Sequence, residues 1–409
     1  MKTLPTLCLG IVLLVGCGGV LGVGITPSAG QVTPAEILSW RKSAEQGDAE
    51  AQSGLGVCYY HGNGVAKNYT EAVKWLRKAA EQDHAGAQFL LGACYAKGNG
   101  VAKDDTEAVK WYRKATEQDL AIAQFYLGAC YAKGNGVAKD DTEAVKWYRK
   151  AAERGVADAQ VSLGFSYFNG NGVARDYTEA VKWYRKAAEQ DHAKAQYSLG
   201  FSYNNGYGVA KDSTESVKWC RKAAEQGFTE AQLLLGLCYE EGDGVAKDAT
   251  EAVKWYRKAA EQGDVDAQLR LGVLYKIGKG VAKDATEAVK WYRKAAEQGF
   301  ADAQVSLAHC YYSGVGVAKD YTESVKWFRR AAEQGKHESQ FNLAVLYRHG
   351  VGVAKDDVIA YKWFNLAAAS GYEAAKNQRE ILAKQMTRDQ IAEAQRLSRE
   401  WKPRPHKGE

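Results

Sequence analysis

Apolar residues along this chain fall into two alternating registers, both with helical spacing. In the first, seen at residues 85–97, Ala87, Leu91 and Cys94 recur every three or four positions and predict a helix with a core-facing stripe. In the second, seen at residues 104–117, Ala108, Val109, Trp111, Tyr112 and Ala115 form the apolar face. Lys110, Arg113, Lys114 and Glu117 form its wet face. Between the two lies Gly98-Asn99-Gly100-Val101-Ala102-Lys103. Gly98 is placed to end the first helix as a left-handed cap, and the loop calls for positive φ at both glycines. Asp104 and Glu107 are spaced as an acidic counterpart of the capping box and open the second helix. Later second helices stop at Gly227, Gly263 and Gly299. The short turn onward makes the two helices antiparallel.

The unit repeats without insertion or deletion. Residues 51–374 divide into nine blocks of 36: 51–86, 87–122, 123–158, 159–194, 195–230, 231–266, 267–302, 303–338 and 339–374. The block at Ala123 reads AQFYLGACYAKGNGVAKDDTEAVKWYRKAAERGVAD, and the block at Ala267 reads AQLRLGVLYKIGKGVAKDATEAVKWYRKAAEQGFAD. A fixed period of this length predicts an all-α solenoid of helix-turn-helix units, each hiding its apolar face against its neighbours. Nine of the eleven tryptophans share one slot, from Trp75 to Trp363, as a column of core plugs. Polar caps are needed at both ends. Residues 34–50 supply a lone second-type helix after Thr33-Pro34, with Ser39 in the Trp slot. Residues 375–401 supply two closing helices, with Thr387 and Gln390 as a capping box and Ile391, Ala394 and Leu397 as a lid. Residues 402–409 read as a disordered basic tail.

The pattern resembles the Sel-one-like repeats, a branch of the tetratricopeptide superfamily. The resemblance is carried by Ala123, Leu127, Gly128, Tyr131 and Gly134, by the G-V-A-K-D loop and by the W-Y-R-K-A-A-E segment, and it covers all nine blocks. It implies a right-handed superhelix of helix pairs and an adaptor role in protein complexes, with no particular partner. A disulfide-rich, β-lactamase-like branch of that family ties each second helix to the next first helix through paired cysteines. The corresponding stretches here, such as Ala115 to Ala123, hold none, so that branch's properties do not carry over directly.

Charge changes the picture little. The net charge of +6 comes from 55 basic and 49 acidic residues, and residues 87–122 hold five of each sign. Nucleic-acid binders carry a one-signed stripe, so nucleic acid is not an expected partner. Of eight cysteines, Cys58, Cys94, Cys130, Cys238 and Cys310 share a slot filled elsewhere by Ser166, Ser202, Leu274 and Leu346. Such a slot is a small buried packing site. Cys220 stands where most blocks have Tyr, within reach of Cys238, either bridged to it or as one of two free thiols.

The leader has one charge, Lys2, before Glu36, and an apolar run from Leu4 to Val23, as in an export signal. Leu14-Val15-Gly16-Cys17 resembles a bacterial lipobox. That resemblance implies a signal peptide and lipobox over 1–17 in which Cys17 becomes the acylated first residue, a flexible tether over 18–33, and an outer-membrane or periplasm-side anchor. Cleavage near Ala29 would instead give a soluble secreted protein, and an uncleaved run is long enough to span a membrane.

Reactive constellations are weak. Ser39-Trp40-Arg41-Lys42 matches the S-x-x-K of penicillin-recognising enzymes, but S-D-N and K-T-G are missing. Gly98 and Gly100 follow a helix, not a strand, so they are no phosphate loop. The seven histidines show no metal-ligand spacing, and His84 and His192 are expected to be solvated in turns. No cofactor or metal is expected.

Positions four, seven, ten and eleven of each block vary most. A recognition surface needs such variation, because each layer meets a different part of the partner. Positions ten and eleven nominate Tyr60, His61, Phe168, Asn169, Asn204, Asn205, Glu240, Glu241, Lys276, Tyr312, Arg348 and His349 as partner contacts. Tyr, Phe and Arg are frequent anchors. The expectation is an exported, non-catalytic scaffold binding a protein or peptide in the groove of the solenoid. The rivals are a cell-wall (peptidoglycan) binder and a β-lactamase-like hydrolase. Oligomeric state is not legible.

Overall fold

The computed structural model describes residues 32–404. Among the described residues there are 21 α-helices and no strand. A lone helix (Pro34–Glu45) precedes nine helix pairs, and helices Glu373–Ala383 and Arg388–Glu400 close the chain. The fold is an all-α solenoid of paired helices, as the period predicts. It divides into two compact units, one ending at Arg175 and one beginning at Asp176. The division falls inside the fourth repeat, between helices Ala157–Asn169 and Tyr177–Ala188.

The second repeat shows how the sequence builds a layer. Its first helix, Ala85–Lys97, buries Ala87, Gln88, Leu91, Gly92 and Cys94. It ends at Gly98, whose φ of 75° lets its N–H reach the Cys94 carbonyl at 2.8 Å. Gly100 (φ 72°) has a second task. A Cβ there would sit 2.2 Å from the carbonyl oxygen of Tyr69, in the repeat before. The loop thus lies directly on the preceding second helix.

The second helix runs from Asp105 to Glu117. Asp104 caps it, accepting from the N–H groups of Thr106 (2.9 Å) and Glu107 (3.0 Å). The expected reciprocal arm does not form. The Glu107 carboxylate instead takes Lys110 at 2.6 Å, because turning back would bring it against the anionic cap. A full capping box does form at both ends of the solenoid, at Thr33/Glu36 and at Thr387/Gln390.

Within a repeat the helices approach closely at a small residue. A Cβ on Gly92 would lie 2.8 Å from the Tyr112 ring, and the same pairing joins Gly128 to Tyr148 and Gly236 to Tyr256. Seven of the nine column tryptophans are buried, while Trp147 and Trp219 are half-buried. A lysine ammonium caps most of the indole faces, as Lys258 does over Trp255 at 4.1 Å.

Between repeats, two polar ties recur. An arginine of the second helix in each of the first eight repeats donates to a tyrosine hydroxyl of the next first helix, as Arg77 does to Tyr95 (2.6 Å) and Arg221 to Tyr239 (2.6 Å). A buried glutamine also links three helices. Gln88 donates to the Ala80 carbonyl (3.2 Å) and accepts from Gln118 (2.9 Å). Gln52, Gln232, Gln268 and Gln304 repeat both bonds.

Two expectations need correction. His84 and His192 are not simply solvated. Each accepts a backbone N–H through Nδ1, from Ala87 at 3.1 Å and from Ala195 at 3.3 Å, and so caps a first helix where Asp48 and Asp264 cap others. His84 also meets Glu50 through Nε2 at 3.1 Å. Of the tail, residues 402–404 are described, and the Arg404 N–H donates to the Glu333 carbonyl at 2.8 Å. The six described cysteines are all free thiols, Cys220 and Cys238 included. Burial pushes Cys220 up to about 12.

Candidate functional site

Block positions four, seven, ten and eleven lie at i, i+3, i+6 and i+7 of each first helix, which places them on one face. Exposed apolar side chains gather there. Of seven large exposed hydrophobics among the described residues, Phe165, Val273, Ile277 and Tyr312 hold these positions in the repeats. Ile381 holds the equivalent position in the closing helix Glu373–Ala383. Core residues on the same helices, such as Leu163 and Leu271, are fully buried, so the exposed set belongs to a separate stripe.

The nominated contacts divide into two groups. Some are already used to join layers. The Tyr60 hydroxyl accepts from Asn99 at 3.3 Å, and its ring meets Tyr69 edge-on with centroids 5.2 Å apart. Glu240 accepts from the buried Tyr256 hydroxyl at 2.8 Å and pairs with Arg270 (3.4 Å) and Lys279 (3.5 Å). Arg348 donates to Gln378 at 2.6 Å. Asn169 and Asn205 turn back on their own helices, to the carbonyls of Phe165 and Phe201. Phe168 is half-buried and engaged with its surroundings.

The others face outward. His61, Glu241, Lys276, Tyr312 and His349 are exposed, and Asn204 is half-buried. Burial and the nearby Lys67 hold His61 below the ordinary imidazole range. The nomination missed Phe165, Val273, Ile277 and Ile381. The signal for Phe165, Val273 and Ile381 was available at position seven, one of the variable positions. It also missed Val315, in a loop slot where earlier repeats carry Asn99 and Asn135.

Two surface hollows illustrate the difference between architecture and individuality. The larger, about 440 Å³, lies on the second-helix side around Thr178, Lys182, Trp183 and Lys186, residue types found in most repeats. The smaller, about 290 Å³, lies on the first-helix side. It is lined by Glu240, Asp266, Leu269, Arg270, Val273 and Leu274, and of its charges Glu240 and Arg270 are peculiar to the sixth and seventh repeats.

Ser39 and Lys42 stand exposed on the lone helix with no hydrogen bond between them. Among the described residues no three His, Cys, Asp or Glu side chains gather as a metal site. No described helix is long and apolar enough to cross a membrane. Cys17 lies outside the described residues.

The Sel1 repeat family model matches nine consecutive segments, 49–84, 85–120, 121–156, 157–192, 193–228, 229–264, 265–300, 301–336 and 337–372. The chain belongs to the Sel1 repeat family. Each Sel1 segment opens on a first helix of the solenoid, as Ala49–His61 and Ala85–Lys97 show. Two solved structures share both sequence and fold. One is a protective antigen present in uropathogenic Escherichia coli strains, displaying an SLR fold. It is 35% identical over 89% of this chain and 94% of that chain, with a TM-score of 0.64. The other is a Sel1 repeat protein from Oxalobacter formigenes, 33% identical over 80% of this chain and 97% of that chain, with a TM-score of 0.59. No curated protein matches the chain. As a Sel1-repeat solenoid it is a scaffold of the kind that mediates protein interactions.

Proposed function

We propose that this Sel1-repeat protein is an exported scaffold that binds a protein or peptide along the variable face of its first helices. The observation that carries the reading is the coincidence of sequence variation with exposed apolar surface. Phe165, Val273, Ile277 and Tyr312 occupy positions that change from repeat to repeat, while the arginine–tyrosine and glutamine ties between layers recur. Apolar side chains left exposed on an ordered helix face mark a surface that a partner covers.

Export is supported by the leader, and anchoring by the lipobox around Cys17. Similarity to a protective antigen supports a place outside the cytoplasm. Crosslinking in the host with photoreactive side chains at Phe165 and Tyr312 tests the binding reading. Protein adducts at these sites, and none from Lys110 on the second-helix side, are expected. Adducts from Lys110 alone refute it. Mass spectrometry of the mature N-terminus tests the anchor. A diacylglyceryl mass on Cys17 is expected, and an unmodified start near Ala29 refutes it.

A further inference from the structure

The ninth second helix, Asp357–Ala369, departs from the eight before it on its outward side. Where the eighth, Tyr321–Glu333, carries Glu323, Arg330 and Glu333, the ninth carries Ile359, Leu366 and Ala369. Thr322, Lys326 and Arg330 are exposed, but their counterparts Val358, Lys362 and Leu366 are half-buried. The last helix, Arg388–Glu400, covers them by packing on Asp357–Ala369. Its seam is Ile391, Ala394, Ser398 and then Trp401 just past its end, three or four residues apart and so on one helical face. The small Ala394 and Ser398 are buried and let the two helices approach closely. The Trp401 ring meets Trp363 edge-on with centroids 6.1 Å apart, and the Arg404 N–H reaches the Glu333 carbonyl at 2.8 Å.

This helix is held more weakly than the repeats hold one another. The arginine and glutamine slots that tie layers elsewhere contain Asn365 and Ser370 here. Asn365 is taken by Arg379 at 2.8 Å, which fixes the preceding helix Glu373–Ala383 instead. The last helix makes one side-chain bond to the repeats, from Ser398 Oγ to the Lys362 carbonyl at 3.4 Å. Its ion pairs, Arg396 with Glu393 and with Glu400 at 2.7 Å each, are internal. Among the described residues no ion pair joins it to the repeats. Nine of its thirteen residues are exposed, so few buried contacts are lost when it lifts away.

We infer that the C-terminal helix is a strap that opens while the repeats stay folded, and that the face beneath it docks an amphipathic helix of a partner protein. The seated strap shows the chemistry that fits: an apolar residue, two small residues four apart and an aromatic, in helical register. The charges that eight other second helices present are missing from this face alone, which confines the site to the ninth repeat. The inference concerns the second-helix side and is independent of the first-helix reading.

Hydrogen exchange on the full-length chain tests the opening. Amides of residues 388–404 should exchange at least about tenfold faster than those of Tyr321–Glu333 and Asp357–Ala369. Exchange of all three in step overturns the inference. Anisotropy with a fluorescent peptide of residues 386–404 tests the docking. The full-length chain carrying Ala394→Arg, which unseats the strap, should bind the peptide at least about tenfold more tightly than the parent, whose own strap competes. Trp401→Ser should give a smaller gain in the same direction. Ile359→Glu plus Leu366→Arg, which restores the charges of the eighth repeat, should abolish binding in the Ala394→Arg background. Peptide bound no more tightly by either unseated variant, or bound regardless of Ile359→Glu and Leu366→Arg, overturns the inference. So does loss of exchange protection in Asp357–Ala369 in both unseated variants, because the last helix is then a structural cap. Sedimentation of the parent as a dimer that Ile359→Glu plus Leu366→Arg dissolves makes a second copy the occupant and overturns the partner helix.

Discussion

Gln124 is the one member of the glutamine ties in the first four repeats whose amide oxygen is buried without a partner. Its counterparts Gln52 and Gln88 accept from Gln82 (2.7 Å) and Gln118 (2.9 Å), thirty residues on. Thirty residues after Gln124 the chain has Arg154, which turns outward to Asp119. It makes a 3.0 Å ion pair with the carboxylate and a 3.1 Å bond to the carbonyl. A buried carbonyl left unbonded costs about 1–3 kcal/mol. The Arg154–Asp119 pair is half or more exposed and contributes about 0–1 kcal/mol. Arg154→Gln should therefore raise stability by about 1 kcal/mol, with the desolvated oxygen outweighing the solvated pair. Urea unfolding followed by circular dichroism measures the total. Hydrogen exchange over residues 121–156 localises it, because repeat arrays need not unfold in one step. Gln124→Leu removes the orphaned oxygen, and in that background Arg154→Gln should give no gain. In the intact second repeat, Gln118→Ala should cost about 1–2 kcal/mol by orphaning Gln88. An Arg154→Gln protein no more stable than the parent refutes the reasoning, as does an equal gain in the Gln124→Leu background.

Other expectations follow from the same contacts. Gly98→Ala should cost about 1 kcal/mol, the strain of a left-handed alanine. Gly100→Ala should cost about 3 kcal/mol or more in the same urea assay, because its Cβ would also meet the Tyr69 backbone at 2.2 Å. Tyr239→Phe should cost about 0.5–1.5 kcal/mol by removing the acceptor of Arg221, and should speed exchange in helices Ser213–Glu225 and Thr229–Glu241. Burial raises Cys94, Cys130 and Cys238 to about 11 and Cys220 to about 12. An aromatic disulfide reagent should thus label the native protein slowly at about pH 8, half-buried Cys130 first, and label every thiol at once in denaturant. Because folding raises these thiols above their ordinary value of about 8.5, their contribution to stability is complete below that pH. It drains as pH rises from about 8.5 to the folded values of about 11 to about 12, so the urea midpoint should fall across that range and then level off. A flat midpoint would contradict it.

The similarity to an antigen and to a second Sel1 repeat protein extends over most of each chain. In this chain the layers are built by the small residue facing an aromatic ring, the arginine–tyrosine tie and the buried glutamine. Those residues account for the fold and are silent about the ligand. Specificity must therefore reside in the side chains the layers do not need.

Helix limits, the 36-residue period and the tryptophan column were all legible from spacing alone. The reason is that a helix assigns each residue to a face through its own periodicity, and nine copies of the same assignment reinforce one another. The fate of the variable positions was not legible. Tyr60, Glu240 and Arg348 look like free contacts in sequence, yet their polar atoms are spent on Asn99, on Tyr256, Arg270 and Lys279, and on Gln378. Most of those partners lie thirty or more residues away, at distances set by how one layer rests on the next. The outward turn of Arg154 arises in the same way. Local periodicity says which face a side chain occupies. Only the stacking of layers says whether another residue already waits there.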